Sequence, residues 1–179
     1  PSGITFDSEP DVEPVGEAIE RELAFESDDL TLAGTLRLPD STASVYPVVL
    51  FIHGSGPVDR DGSAVNLETG AVVMALDIYR QLAVAASAVG FASFRFDKRG
   101  VGKSQGNAAL ASRADLLKDV EAAIHALGDQ PEIDSNRIIL VGHSEGSYLA
   151  PIVAVGDPNI AGVVLLAGAA RALDAITRW

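Results

Sequence analysis

Short apolar runs alternate with longer segments of helical periodicity along most of this chain. Four such runs have the length and apolar content of strands buried on both faces, at residues 48–52, 91–96, 138–141 and 163–167. Strands of this kind belong to parallel sheets, because the connecting helices cover both faces of the sheet. The pattern therefore predicts an α/β fold, and such folds place their chemistry at the carboxyl ends of the strands.

The remaining segments fit around this sheet. Apolar and polar residues alternate over 22–26 and 30–38, on either side of residues 28–29, which predicts an antiparallel hairpin at a sheet edge. Apolar residues spaced three and four apart predict three helices, at residues 71–89, 115–127 and 145–155. We expect the first two to end at Gly90 and Gly128, because glycine is the common residue just past a helix C-terminus.

Negative charge is concentrated at the N-terminus. Residues 1–29 carry ten acidic side chains and one basic one, and so hold −9 of the formal net charge of −12. We expect an acidic N-terminal extension over residues 1–20, followed by one folded domain over residues 21–170. A chain of 179 residues can bury one core but hardly two. The acidity also argues against a nucleic-acid partner.

The composition excludes several kinds of site. The chain has no cysteine, so it forms no disulfide, no thiolate zinc site and no cysteine nucleophile. The apolar stretch at residues 160–170 is too short to span a bilayer, and no signal segment opens the sequence. We expect a soluble protein and leave its compartment open, with the cytoplasm favoured over secretion. No metal or organic cofactor is implied.

A Gly-x-Ser-x-Gly motif lies at residues 142–146, directly between the apolar run 138–141 and a helix-forming stretch. This is the layout of a nucleophile elbow, in which a serine stands on a sharp strand-to-helix turn and predicts acyl transfer through a serine ester. Ser144 is therefore the candidate nucleophile. A second match at residues 102–106 contains Ser104, but a charged loop separates it from its strand and no helix follows at once. The context favours Ser144.

A glycine-rich turn follows the first buried strand. Its residues are His53, Gly54, Ser55 and Gly56. In the elbow geometry one oxyanion donor is the N–H of the residue after the nucleophile, here Glu145, and the other comes from a loop like this one. We predict the backbone amides of Ser55 and Glu145 as the oxyanion hole, with His53, Gly54 and Gly56 as supporting residues. An ordinary glycine turn is the alternative.

None of the three histidines is a suitable general base. In folds with such a nucleophile elbow the triad residues follow one another along the chain in the order serine, acid, histidine, and no histidine follows Ser144. His143 adjoins the nucleophile and is expected to point away from it. We therefore interpret His53 and His143 as hydrogen-bonding residues of the loops and His125 as a helix-surface residue.

The loop at residues 97–104 ends like a phosphate-binding loop, because Gly102-Lys103-Ser104 supplies a lysine and a hydroxyl. A P-loop requires glycine where Asp97 stands, and a carboxylate there would repel the phosphates. Nucleotide binding is thus the weakest interpretation. We expect Asp97 and Arg99 instead to pair with each other and to hold this loop beside the oxyanion turn.

Three motifs together, HGSGPVDRDG, FRFDKRGVGKSQG and GHSEG, resemble the α/β-hydrolase fold, and more narrowly its esterase and serine-aminopeptidase-like hydrolases. The resemblance runs over residues 21–170. It implies a hairpin and a mostly parallel sheet through about the sixth of eight strands, with a nucleophile at Ser144 and oxyanion donors at Ser55 and Glu145. It also implies hydrolysis of carboxylic esters or, less often, amides.

The resemblance places the acid and the histidine of the triad after later strands, beyond residue 179. We therefore expect this chain to be the N-terminal part of a longer hydrolase, with residues 171–179 opening a cap or lid and the isolated chain inactive. The expected partners are a small-molecule ester, the C-terminal remainder of the same protein and a second copy of the chain. An aminopeptidase, a thioesterase and a non-catalytic binding protein of the same fold remain alternatives.

Overall fold

The computed structural model describes residues 18–39 and 43–168. Its strands are β1 (Ile19–Ser27), β2 (Leu30–Leu38), β3 (Tyr46–Ile52), β4 (Ala64–Val65), β5 (Val72–Met74), β6 (Ala92–Phe96), β7 (Ile133–His143) and β8 (Ile160–Leu166). The helices are α1 (Ile78–Ala88), α2 (Arg113–Gly128) and α3 (Gly146–Gly156). The main sheet has the order β1-β2-β6-β3-β7-β8, and β4 and β5 form a separate ribbon.

The sheet combines an antiparallel hairpin with parallel strands. β1 pairs with β2 in register from Ile19 opposite Leu38 to Ser27 opposite Leu30. β2 is antiparallel to β6, whereas β3 pairs in parallel with both β6 and β7, and β7 with β8. The predicted α/β fold, with its edge hairpin and mostly parallel sheet of six strands, is confirmed.

The ends of the described region bear on the predicted domain limits. β1 begins at Ile19, so the last two residues of the segment expected as an extension, 1–20, already belong to the sheet. Residues 1–17 of that segment and the expected cap or lid segment 171–179 lie outside the described residues. No helix in the described part of the chain has both the length and the apolar character needed to cross a membrane.

Helices cover the sheet on both faces. On one face α2 and α3 pack on the central strands through apolar residues such as Val120 and Leu149, which are nearly fully buried. On the other face Tyr79 and Ala83 of α1 pack against Phe51 of β3. Burial on both faces explains why the central strands are continuous apolar runs in the sequence.

Two helix limits differ from the prediction. The helix predicted over residues 71–89 begins only at Ile78, because Asp77 has φ 51° and residues 72–74 form β5. Its predicted glycine stop is confirmed, since Gly90 has φ 84°. Gly128 is not the residue past the end of α2 but its last helical residue, and Asp129 is the C-cap.

Candidate active site

Ser144 stands between the last residue of β7 and the first residue of α3, with a φ of 51°. This left-handed conformation is uncommon outside glycine, and in a non-glycine residue it marks a strained position. The flanking glycines are required by close backbone approach. A Cβ atom on Gly142 would lie 2.2 Å from the carbonyl oxygen of Gly146, and one on Gly146 would lie 2.2 Å from that of Ile52. The strand–turn–helix context predicted for Ser144 is thus present.

Backbone hydrogen bonds fix the Ser144 turn. The amide of Ser144 donates to the carbonyl of Leu166 in β8 at 2.9 Å. Its carbonyl accepts from the amide of Ser147 at 3.0 Å and from the Ser147 hydroxyl at 2.5 Å. The residue as a whole is half-buried, so part of it remains exposed to solvent.

The predicted oxyanion loop, residues 53–56, lies beside this turn. A Cβ atom on Gly54 would come within 3.3 Å of Cβ of Ser144. Within residues 18–39 and 43–168 neither the Ser55 amide nor the Glu145 amide donates a hydrogen bond to another protein group. Glu145 is the N-cap residue of α3, so its amide also sits at the positive end of the helix dipole. Ser55 and Glu145 thus lie in the two loops around Ser144, and their amides have no protein partner among the described residues.

Two side chains that the sequence analysis did not assign form hydrogen bonds with the backbone of Gly54. The Gly54 amide lies 3.3 Å from the hydroxyl of Tyr79, which is buried in α1. The Gly54 carbonyl accepts from Nζ of Lys98 at 3.0 Å. The same ammonium lies 3.3 Å from Oε2 of Glu145. The signals for these two roles were a tyrosine on the apolar face of α1 and a lysine two residues after a buried strand.

The three histidines occupy the places expected of non-catalytic residues. His53 is buried edge-on against the rings of Tyr79 and Phe96. Burial, with the nearby charge of Lys98, lowers the pKa of His53 to about 3, so its ring is neutral and a poor base near pH 7. Nε2 of His53 has no hydrogen-bond partner among the described residues. The hydrogen-bonding role predicted for His53 is therefore not seen at this atom. His143 bonds through Nδ1 to Tyr79 at 3.1 Å, and His125 is exposed on α2.

Asp97 and Arg99 do not pair with each other as expected. Asp97 accepts from the Arg60 amide at 2.9 Å, from Nη2 of Arg60 at 2.7 Å and from the amide of Lys103 at 3.0 Å. Burial alone would raise the pKa of Asp97, but these donors lower it overall. Arg99 points to α2 instead, where Nε and Nη2 donate to the buried carboxylate of Asp119 at 2.8 and 2.6 Å. The two charges therefore anchor the loop at two separate points.

The second Gly-x-Ser-x-Gly match and the resemblance to a P-loop both receive a structural explanation. The hydroxyl of Ser104 is buried; it accepts from the Ala33 amide at 3.0 Å and donates to the Asp97 carbonyl at 2.7 Å. A Cβ atom on Gly102 would lie 2.5 Å from the Asp97 carboxyl carbon. The glycine-rich loop thus encloses the carboxylate of Asp97, which occupies the space that a phosphate would need.

A cavity of about 290 Å³ adjoins both predicted oxyanion donors. It is lined mostly by small and apolar side chains together with three charged ones; the lining residues are Ser55, Gly56, Pro57, Leu67, Lys98, Arg99, Ala108, Ala109, Ala111, Leu116 and Glu145. The arrangement offers room for a small apolar group next to the Ser55 and Glu145 amides.

Residues 73–179, more than half of the chain, match the family described as serine aminopeptidase, S33. The chain belongs to this family. The matched region includes β6, the elbow and α3, and therefore includes Ser144. The chain is thus a member of the S33 family with an α/β-hydrolase fold.

This S33 family member is similar in sequence to an esterase and to a thioesterase. It is 28% identical over 156 residues to esterase EstD of Thermotoga maritima, and the aligned region covers 86% of this chain and 35% of EstD. It is 39% identical over 88 residues to the human mitochondrial palmitoyl-protein thioesterase ABHD10, and the aligned region covers 49% of this chain and 26% of that protein. The chain thus spans about a third of the first relative and a quarter of the second.

The solved structures agree on the architecture. The α/β hydrolase GrgF from a Penicillium species superimposes with a TM-score of 0.64 at 20% identity, over 82% of this chain and 45% of that chain. At this identity the likeness establishes the fold and no more.

Proposed function

We propose that this chain carries the nucleophile and the oxyanion hole of a carboxylic ester hydrolase. The observation that carries the proposal is the pair of unengaged amides, Ser55 and Glu145, on the two loops that meet at the strained Ser144 turn. Free backbone donors that converge beside a serine are what a developing oxyanion requires. The likeness to an esterase supports the ester as substrate.

In the proposed reaction Ser144 Oγ attacks the ester carbonyl carbon, and a base accepts the serine proton. The carbonyl oxygen becomes an oxyanion that receives hydrogen bonds from the Ser55 and Glu145 amides. When the tetrahedral intermediate collapses, the C–O bond to the alcohol breaks and the proton passes to the departing alkoxide. Water then attacks the acyl-serine with help from the same base, which releases the acid and restores Ser144.

We propose that the base and its carboxylate partner lie outside these 179 residues. His53 is buried and keeps a pKa of about 3, and His143 is engaged at Nδ1 by Tyr79. Neither is poised to accept a proton from Ser144, and His125 is exposed on α2. A histidine and an acid supplied by another segment of the protein would complete the triad.

The test uses the intact protein that contains this chain. We expect it to hydrolyse p-nitrophenyl acetate or butyrate, and we expect Ser144→Ala to lower kcat by about 10⁶-fold. Ser104→Ala is the matched control, because it changes the serine of the other motif; it should keep the activity per folded molecule. A fluorophosphonate should add to Ser144 alone. Activity that survives Ser144→Ala would overturn the proposal.

A thioesterase is the second candidate, favoured by the 39% identity to a palmitoyl-protein thioesterase. The family description keeps an aminopeptidase open as a third. All three reactions use the same nucleophile and oxyanion hole, so only the leaving group separates them. Comparison of kcat/KM for p-nitrophenyl esters, an S-acyl thioester and an aminoacyl p-nitroanilide would distinguish them. If neither turnover nor a fluorophosphonate adduct is found, a non-catalytic binding role is favoured.

A further inference from the structure

Lys98 brings a buried positive charge to the junction of the two loops around Ser144. Lys98 is the second residue after β6, and its side chain is 11% exposed. Nζ lies 3.0 Å from the carbonyl oxygen of Gly54 and 3.3 Å from Oε2 of Glu145. Removing an ammonium from water is unfavourable unless it is paired and hydrogen-bonded, and these two contacts supply both.

The contact with Gly54 fixes the orientation of a single peptide group. The carbonyl of Gly54 and the N–H of Ser55 belong to the same peptide unit, which is planar and trans. In a trans peptide the C=O and the N–H point in opposite directions. The carbonyl directed to Lys98 therefore turns the Ser55 N–H the other way, on a residue that is itself exposed. The Tyr79 hydroxyl fixes the preceding peptide through the Gly54 amide.

The contact with Glu145 joins Lys98 to the residue that carries the second donor. The Glu145 carboxylate is 33% exposed, so the ion pair keeps some access to water. The backbone amide of this residue is the other free N–H, at the N-terminus of α3. One ammonium thus links the loop that carries the first donor to the residue that carries the second.

We propose that Lys98 is the positioning residue of the oxyanion hole, where its ammonium sets the spacing and direction of the Ser55 and Glu145 amides. The proposal rests on the function proposed above. A positive charge on the Gly54 carbonyl also polarises that peptide, because hydrogen bonds in a chain strengthen one another, and so makes Ser55 N–H a stronger donor. Both effects act on the oxyanion and hence on the transition state more than on the bound ester.

The test compares Lys98→Met with wild type in the intact protein. We expect kcat to fall about 10- to 100-fold with KM changed less than about threefold, since the loss of a whole donor costs about 10²–10³ in kcat and a misaligned donor should cost less. Affinity for an aryl trifluoromethyl ketone, whose serine adduct carries an oxyanion, should fall by the same factor as kcat/KM. Lys98→Arg should recover part of both losses.

The matched control is Lys103→Met, which removes the same charge from the same loop. The Lys103 side chain is 68% exposed and pairs with the exposed Glu22, so kcat and ketone affinity should stay at wild-type values. Should Lys98→Met not fold, Glu145→Gln takes its place, because it keeps the Gly54 contact and removes only the ion pair. It should lower kcat and ketone affinity together by a few-fold.

Three results would overturn the proposal. If Lys98→Met unfolds at lower urea but the folded protein keeps wild-type kcat and ketone affinity, the lysine only stabilises the fold. If KM rises while kcat is unchanged, the lysine contacts the substrate instead. If wild type itself shows no Ser144-dependent hydrolysis, the proposed function fails and this inference fails with it, whereas wild-type activity with an unaffected variant rejects only the role of Lys98.

Discussion

The hydroxyl of Tyr79 lies 3.1 Å from Nδ1 of His143 and 3.3 Å from the amide of Gly54, and so joins α1, the oxyanion loop and the elbow. An amide can only donate, so the tyrosine oxygen accepts from Gly54 and its proton is free to point to His143. Burial raises the pKa of Tyr79, which keeps the hydroxyl protonated. In this arrangement the tyrosine donates its proton to Nδ1 of His143.

Removal of this hydroxyl should loosen the site and lower stability. Tyr79→Phe leaves the Gly54 amide without its acceptor in a buried place, which costs about 1–3 kcal/mol of unfolding free energy. We expect urea unfolding to show this loss and kcat for p-nitrophenyl acetate to fall. Tyr148→Phe is the matched control, because the Tyr148 hydroxyl bonds to no residue of the described ranges; its stability should stay within about 0.5 kcal/mol of wild type. Equal stabilities for Tyr79→Phe and wild type would contradict the hydrogen bond from the Gly54 amide to the Tyr79 hydroxyl.

The elbow should not tolerate a methyl group at Gly146. Gly146→Ala would place Cβ 2.2 Å from the carbonyl oxygen of Ile52, and both are constrained by the backbone of packed elements. We expect a loss of about 3 kcal/mol or more, or no folded protein. Gly156→Ala at the end of α3 is the control, since nothing lies within 4 Å of its Cβ; helix propensity predicts a small gain. Thermal unfolding of both variants tests this contrast. Similar unfolding temperatures for Gly146→Ala and Gly156→Ala would exclude the steric conflict at Gly146.

The sheet and the elbow were predictable because local sequence determines them. Buried parallel strands are continuous apolar runs, and residues 142–146 carry the glycines that the close approach of β7, α3 and β3 requires. The start of α1 was not predictable in this way. Residues 72–74 have the apolar spacing of the helix that follows, and only their pairing with β4 and the left-handed Asp77 separate them from it.

The ion pairs of the site could not be assigned from sequence either. Asp97 and Arg99 are two residues apart, which in a strand would place them on the same face, but both lie past the end of β6, where this period no longer holds. Their partners, Arg60 and Asp119, lie 37 and 20 residues away. Lys98 likewise reaches Gly54 across 44 residues. Such contacts depend on the order of strands in the sheet, which no local pattern records.

The unfolding free energy should fall as the pH falls, because His53 takes up a proton more readily in the unfolded chain. Its folded-state pKa of about 3 lies below the usual value of 6.5, so between these values the unfolded chain binds a proton that the folded chain does not. The contribution is complete above about pH 6.5 and is lost as the pH falls toward 3. Between pH 7.5 and 5.5 this group should lower the unfolding free energy by about 1.4 kcal/mol.

Urea unfolding of His53→Phe at the two pH values measures that contribution. Phenylalanine keeps the ring contacts with Tyr79 and Phe96 and removes the titration, so the variant should lose about 1.4 kcal/mol less than wild type over this interval. His125→Asn, at an exposed position of α2, is the control for the removal of a surface histidine. Parallel curves for wild type and His53→Phe would show that His53 titrates normally in the folded chain.

The isolated chain of residues 1–179 should bind covalent probes and turn over esters far more slowly than the intact protein. On the function proposed above Ser144 is the nucleophile, and none of the histidines in the described residues is placed to accept its proton, because His53 is buried, His143 is engaged by Tyr79 and His125 is exposed on α2. Loss of the base in a serine triad lowers kcat by about 10⁶-fold. Intact mass after treatment with a fluorophosphonate should therefore remain at 18.6 kDa, whereas the intact protein should gain one adduct at Ser144. Turnover by residues 1–179 that Ser144→Ala abolishes would show instead that a base lies within this chain.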